Sequence, residues 1–450
     1  MRRTVAEHQQ AVRTLLGAAW AGKFDDGGRV PLIEALGRVA AQHVDAGIDL
    51  PPFANSQMDG FAVNAADLAA RARLKIAAAI PAGSVPAALQ RGFAAPIMTG
   101  AMLPDGADAV VPVERADPPV FPAPPVSAPA VSAPPVSATA GPPPHPTSSG
   151  PRPYAPTTSP PAQPMVTLPA TETGTFVRHA GSDIRRGGRV ITAGTRLTAR
   201  HLGVAAGLGL TELAVRRRPR VLLAATGDEV VLPGSVGPGG GLPAGKIFDA
   251  NSMLLHACLL EAGAEVVTAG LVPDDPQTLL RILRGHVAGG RIDAIVTTGG
   301  ISAGAYEVVK QALSGEDIDF LSVAMQPGGP QALGTFDGVP FLGFPGNPVS
   351  GVVSFEMFLR PALTELTGSP QPRPRVTAVL TEALTSPAGK HQIRRAVFEP
   401  AGAPAGATVR PEGGPSSHLI GALADSNALI QVPADVTALA VGAEVEVWLL

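Results

Sequence analysis

The chain has one cysteine, Cys258, in 450 residues, so no intrachain disulfide can hold its fold. Around it, "LLHACLLEAG" carries an apolar helical pattern. That setting suits a buried structural thiol, whereas a nucleophile needs an electropositive, part-exposed one. Charged residues make up only 16% of the chain, and the formal net charge is −3. Such a balance supplies no field to draw in nucleic acid or an anionic membrane. No stretch offers about twenty uninterrupted apolar residues, the length a spanning helix needs. The opening "MRRTVAEHQQAVRTLL" follows its arginines with charged and amide residues, not with the apolar stretch of a secretion signal. A cytoplasmic protein with no nucleic-acid and no membrane partner is the expectation.

Apolar residues are plentiful, at 45%, and at about 100–200 residues per domain the length suggests about three domains. Residues 4–20 and 31–46 read as helices, since "VPLIEALGRVAAQHV" places apolar residues at helical spacing. "DLPPFANSQMDG" then breaks the pattern, and short strands follow in "FAVNAAD" and "LKIAAAI". Residues 116–165 are dominated by Pro, Ala, Ser and Thr, which sustain neither helix nor sheet. They read as a disordered insert inside a domain, because strand-like sequence resumes at "GTFVRHAGSDI".

From residue 219 strands and helices alternate, which predicts a doubly wound parallel α/β sheet covered by helices. "RPRVLLAATGDEV", "VVTAGLV", "RIDAIVTTGGISAG" and "VPFLGFPGNP" are its strands with their following loops. Asn251 or Ser252 is a candidate N-cap for the helix through "NSMLLHACLLE", with Gly263 closing it. Pro276 sits early in the next helix. Residues 374–450 revert to short strands with Gly/Pro turns, suggesting a small β domain.

Ligands of open parallel sheets bind beyond the carboxyl ends of the strands. Those ends carry Thr226-Gly227-Asp228-Glu229, Asp274-Asp275, Thr298-Gly299-Gly300-Ser302 and Pro345-Gly346-Asn347-Pro348. Glycine permits close backbone approach, and helix-opening N–H groups hold anions. Carboxylates beside an anion site suggest a divalent metal bridging phosphates. Each acidic cluster taken alone reads equally as a helix cap; all of them on one sheet edge favour a nucleotide-like site.

"NSQMDGFAV", "IMTGAMLPDGADAVVPVE", "VRHAGSDI", "TGDEVVLPG", "KIFDANS", "LVPDDP", "TTGGISAG", "VAMQPGGP" and "FPGNPVS" occur in that order. Together they resemble the MoeA family, the molybdopterin molybdenumtransferases related to the gephyrin E domain. The resemblance covers nearly the whole chain apart from the insert. It implies an α/β multidomain protein: an extended dimerisation domain of residues 1–46 and 182–216, a second domain of 47–181, a doubly wound molybdopterin-binding domain of 217–368 and a C-terminal β-barrel-like domain of 374–450. It also implies a homodimer whose cleft forms between subunits, with a molybdopterin-adenylylating enzyme and apo-molybdoenzymes as further partners.

The activity it implies takes adenylylated molybdopterin and molybdate as substrates, cleaves the phosphoanhydride with Mg²⁺, and releases AMP and molybdenum cofactor. On that reading Glu229 and Asp274 or Asp275 are the metal candidates, with Glu229 and Asp274 preferred. Asp228 orients or caps, and Gly299, Gly300 and Ser302 cradle the pterin or phosphate portion. Asp59, by local sequence a turn residue in Asp-Gly, matches a functional aspartate of the family. Thr99 is carried over as a cleft hydroxyl, and Arg178 and Asp183 match the family's arginine and aspartate. Asn251 and Ser252, Pro327 and Pro330, and Ser417 complete the implied substrate-contacting set, with Thr226, Gly227 and the Pro345–Pro348 turn.

The chain departs from the family in "QPGGP", where Gln326 and Gly329 replace two lysines often found there. An amide and a glycine hold a dianion less strongly than two ammonium groups. Arg394 or Arg395, with Ser416 or Ser417, are the alternatives for charge and hydroxyl. Two readings therefore stand: a molybdenum-inserting enzyme, and a catalytically weakened paralogue acting as a binding or scaffold protein in cofactor assembly. The preceding adenylylation step is a third; the long flanking regions on both sides of the α/β segment argue against it.

Overall fold

A computed structural model describes residues 2–25, 27–69, 72–121, 164–235, 241–301, 307–402 and 406–450. The chain divides into two compact units, Asp45–Arg189 and the remainder, Met1–Val44 with Val190–Leu450.

The larger unit is built on a seven-stranded sheet. Four neighbouring strands, Val339–Phe344, Ala294–Thr298, Arg220–Thr226 and Glu265–Val272, run parallel. Their side chains alternate between the two faces. Val221, Leu223, Val296 and Leu342 pack on one face with helix Asn251–Glu261 and the helical run that begins at Pro348. Leu222, Ala224, Ile295 and Phe341 pack on the other with helices Pro276–Ala288 and Val308–Ala312. Burial on both faces explains why these strands read as unbroken apolar runs. The sheet is mixed, not wholly parallel: Pro330–Phe336 runs antiparallel to Val339–Phe344 and to Asp317–Val323. Its two-residue hairpin turn leaves no room for a crossover helix, so an antiparallel pair is the outcome.

Helix Val5–Trp20 opens with a capping box between Thr4 and Glu7. It packs Val12, Leu16 and Trp20 into the sheet's own core. His8 on this helix is buried edge-on against Phe358, 4.5 Å between ring centroids. Burial, with the charge of Arg3, pushes its pKa down from 6.5 to about 4. Between those values the unfolded chain binds the proton and the folded one does not. Stability is therefore lost as pH falls through 6.5 toward 4, by about 3 kcal/mol. Comparing urea midpoints at pH 7 and pH 4.5 should show a smaller acid loss in His8→Leu than in the wild type; equal losses would remove His8 from the account.

The expected helix at 31–46 does not form. Residues Arg29–Pro31 are a strand, Leu32–Ala35 a single 3₁₀ turn, and Gly37 takes a positive φ of 75° that ends it. Val39 and Ala40 then bridge to Arg196 and Val215. Ala35 and Ala40 pack with Ile191, Leu197, Leu213 and Val215. Distant strands thus supply the hydrogen bonds that helical spacing alone suggested would be local.

At the C-terminus Arg375–Leu380, His391–Gly402, Gly406–Pro411, Ala428–Val432 and Glu444–Leu449 close into a barrel, because His391–Gly402 pairs with both Gly406–Pro411 and Ala428–Val432. Met325–Gln326 joins it in parallel. That pairing ties the loop leaving the sheet to the barrel.

The smaller unit holds a five-stranded sheet, Gly60–Val63 lying between Ala109–Pro112 and Phe93–Ile97. Most of the Pro/Ala/Ser insert, residues 122–163, lies outside the described residues. Its expected boundaries are too wide: Met165 already begins the strand Met165–Leu168, and Asp117 bridges to Thr167.

Candidate active site

Register sets the site. Thr226 lies beside Val272, Ala225 beside Thr298, and Thr298 beside Phe344. The four parallel strands therefore end level, and their loops line one edge. There they enclose a cleft of about 1010 Å³. Of the residues singled out by sequence, Thr226, Gly227, Glu229, Asn251, Asp274, Gly299, Gly300, Pro327, Pro330, Pro345, Gly346, Asn347, Pro348 and Ser417 line it. Ser302 lies outside the described residues.

Why glycine stands in these loops has a partly different answer from ligand approach. Gly299 has φ +91°, and a Cβ on it would stand 2.9 Å from the Thr226 carbonyl oxygen. A Cβ on Gly346 would come within 3.2 Å of the Gly299 Cα. The glycines let three strand-end loops pack on one another while their edges face the cleft. Asn251 stitches the same loops together: its amide donates to the Gly346 carbonyl at 2.6 Å and to the Thr298 hydroxyl at 3.2 Å.

The acidic residues separate into roles. Asp228 and Asp274 accept from each other's backbone N–H, both at 3.1 Å. This reciprocal pair locks two strand-end loops together and leaves Asp274 on the cleft wall; Asp228 does not line it. Asp275 caps helix Pro276–Ala288 by accepting from the Thr278 N–H at 2.8 Å. Hydrogen bonds from the Thr278 side chain and backbone hold its pKa below the usual carboxylate value. Of the Asp-Asp pair, Asp274 lines the cleft and Asp275 does not. Lys246 donates to the Asp228 carbonyl. The expected N-cap of the Asn251 helix is corrected: neither Asn251 nor Ser252 serves. Asp249 accepts from the Ser252 N–H at 2.9 Å, because a carboxylate three residues upstream reaches that amide. Ser252 does not line the cleft.

Four carboxylates line the cleft, Glu229, Asp249, Asp274 and Glu307, so both preferred metal candidates, Glu229 and Asp274, are on its wall. Among the described residues no group of three or more His, Cys, Asp or Glu could hold a metal ion. Mg²⁺ commonly takes one or two protein carboxylates and completes its shell with waters and substrate phosphates. The donor set here fits that ion and would not suit a closed, all-protein site.

Gln326 lines the cleft, and its side-chain oxygen accepts from Gln392 at 2.9 Å. The buried Gln331 donates to the Gly328 carbonyl and to the Ser354 hydroxyl, each at 2.7 Å, which fixes the "QPGGP" loop. Ser416 and Ser417 come from the barrel to the cleft. Arg394 and Arg395 do not line it: Arg395 donates to the carbonyls of Gly414, at 2.5 Å, and Ser416, at 3.1 Å. Its part is to hold the loop that presents the serines.

Sequence reasoning missed Asp249, Phe248 and His418, all of which line the cleft. Asp249 is buried, and its second carboxylate oxygen has no hydrogen-bond partner among the described residues. The Asp two positions before Asn251 was the available signal.

In the smaller unit, Asp59 and Thr99 come together. One Asp59 carboxylate oxygen accepts from the Thr99 N–H at 2.7 Å and from its hydroxyl at 2.9 Å. Arg178 lies exposed on the two-residue strand Val177–Arg178, which pairs with Asn55–Ser56. The Asp183 backbone N–H donates to the Leu50 carbonyl at 3.0 Å.

Cys258 is pushed up to about 12, first by burial and then by the charges of Glu356 and Glu261. At neutral pH it stays a thiol, the form that is not the nucleophile.

Three family descriptions match the chain: "MoeA N-terminal region (domain I and II)" over residues 3–209, "Probable molybdopterin binding domain" over 223–365, and "MoeA C-terminal region (domain IV)" over 377–450. A relative named molybdopterin molybdenumtransferase 2, from Mycobacterium tuberculosis, is 38% identical over 460 residues, covering 99% of each chain. The molybdopterin molybdenumtransferase of Haemophilus influenzae is 29% identical and covers 89% of this chain and 88% of its own. A crystal structure of a molybdopterin biosynthesis MoeA protein from Pyrococcus horikosii is 27% identical, covers 97% of this chain and 98% of that one, and superposes with a TM-score of 0.71.

Proposed function

Since the chain belongs to the MoeA family of molybdopterin molybdenumtransferases, we propose that it transfers molybdenum from molybdate to adenylylated molybdopterin, with cleavage of the phosphoanhydride and release of AMP. The observation that carries this is the cleft at the strand ends. It places carboxylates, Glu229 and Asp274 among them, beside glycine loops and helix-opening N–H groups. That pairing suits a substrate whose phosphates need both hydrogen-bond donors and a bridging cation.

Glu229 and Asp274 would hold Mg²⁺, which when bound neutralises phosphate charge and orients an attacking water. Asp228 keeps Asp274 in place through their reciprocal hydrogen bonds. The Gly299 N–H already donates to the Phe344 carbonyl, so the Gly300 backbone and the start of the Asn251 helix are the donors offered to anionic oxygens. Ser416 and Ser417, with Gln326, offer neutral donors to molybdate where lysines are absent. Arg395 acts on molybdate only through the loop it positions.

Homodimerisation, the four-domain division and roles for Arg178 and Asp183 belong to the same proposal. So does a part in the reaction for the Asp59–Thr99 pair. Replacing Asp59 by Ala removes the acceptor of both Thr99 bonds from an exposed turn. It should abolish molybdenum insertion while leaving the melting temperature within a few degrees of wild type. Undiminished turnover by the purified variant would remove Asp59 from the site.

The test of the whole reading is AMP release from adenylylated molybdopterin by the purified protein, with Mg²⁺ and titrated molybdate. Molybdate-dependent AMP release is the expected result, its midpoint reporting how well "QPGGP" serves without lysine. Tight substrate binding without AMP release would overturn the enzymatic reading in favour of a scaffold.

A further inference from the structure

A second opening, of about 480 Å³, lies at the mouth of the barrel, lined in part by Arg394, Arg410, Thr385 and Glu382. It shares Pro415 with the main cleft, so the Gly413–Pro415 segment has one opening on each side. Along strand His391–Gly402 alternate residues face opposite ways. Ile393 packs into the core of the sheet, and Ala396 into the core of the barrel. Arg394 shares the barrel face with Ala396, and Arg395 the other. Arg394 is only 9% exposed. Its guanidinium donates to the Gly413 carbonyl at 3.2 Å. Among the described residues no carboxylate oxygen lies within 4.0 Å of it. Arg410, which lines the same opening from the neighbouring strand, is already paired with Glu412 at 2.6 Å, and Glu382 lines it without pairing to either arginine.

A guanidinium does not give up its proton in a protein. Removed from water without a counter-ion, it carries a desolvation cost that a carbonyl contact offsets only in part. Burial lowers the pKa of Arg394, and no neighbouring carboxylate opposes that shift. Arginine's planar fork matches tetrahedral oxyanions. We propose that the barrel mouth is a second anion site, separate from the main cleft, in which Arg394 and Arg410 hold a tetrahedral oxyanion or the phosphate of a monoester.

Crystals of the full chain soaked in tungstate, a heavy tetrahedral oxyanion, should show an anomalous peak between the Arg394 and Arg410 guanidinium groups. Soaking with inorganic phosphate and, separately, with AMP then distinguishes a free oxyanion from a phosphate monoester: either one displacing the tungstate supports the site. In Arg394→Gln the peak should vanish while any peak in the main cleft stays. Should that variant not fold, Glu382→Gln at an exposed position removes the one lining carboxylate near the site and should raise tungstate occupancy at a fixed concentration. Tungstate found only elsewhere, a peak that survives Arg394→Gln, or occupancy that Glu382→Gln leaves unchanged or lowers, overturns the proposal.

Discussion

Glu229→Gln is expected to lower Mg²⁺-dependent AMP release by about two to four orders of magnitude, the range that one electrostatic or proton-transfer group contributes in a closed site. The substitution keeps shape and removes charge. Glu229 is exposed on the cleft wall and is not part of a core, so the fold should stand. Its carboxylate lies folded toward Gly227, where a Cβ would come within 2.8 Å of it. Asp275→Asn is the matched control, since that carboxylate caps a helix and does not line the cleft; Asn caps as well as Asp, so the variant should lose little activity and little stability. Equal AMP release by wild type and Glu229→Gln across an Mg²⁺ titration would refute the assignment. Equal losses in both variants would show that the two acidic clusters act alike, against the geometry.

The largest effect on stability is expected at Glu356, in a part of the sequence where no chemistry is involved. It is 2% exposed inside the helical run that packs on the sheet. Arg373 binds it with two hydrogen bonds, at 2.7 and 3.0 Å. Arg360 lies 3.6 Å away, with two guanidinium nitrogens that find no hydrogen-bond partner among the described residues. Removing the carboxylate leaves the buried Arg360 and the half-buried Arg373 without their shared counter-charge. Glu356→Leu should cost about 3–5 kcal/mol, the usual penalty for breaking a buried pair on one side. Calorimetry would show it as a lower melting temperature. Replacing Glu356, Arg360 and Arg373 together by apolar residues of similar size should recover most of the loss, because the interior then holds no unpaired charge. A single variant as stable as wild type would mean that water reaches the arginines.

Part of this architecture was readable residue by residue. The strands of the sheet are buried on both faces, and so appear as apolar runs closed by glycine or proline. Helix Pro276–Ala288 has its cap and its early proline in order, and both hold in the structure. The barrel's short strands and turns were equally plain. Where the reading failed, the missing information was the partner. Residues 31–46 carry helical spacing, yet their hydrogen bonds go to strands some 150–180 positions onward. The cap of helix Asn251–Glu261 was displaced by two residues, because a side chain's reach depends on the angle at which the chain enters the helix. "QPGGP" showed in sequence only the replacement of two lysines, and its anchoring from within by Gln331 and Ser354 is a tertiary fact.

By itself the sequence determined which elements form along most of the chain, and which loops carry carboxylates and glycines, because periodicity and turn chemistry are local properties. Only the tertiary structure decided which carboxylates reach the cleft. Level strand ends put Glu229 and Asp274 on one wall, while a helix amide took Asp275 out of it. The same holds for the adjacent arginines of the barrel. Strand alternation turns Arg395 toward the loop of the cleft and Arg394 toward a second opening, and two identical neighbours in sequence receive different work from the direction in which the pleat points them.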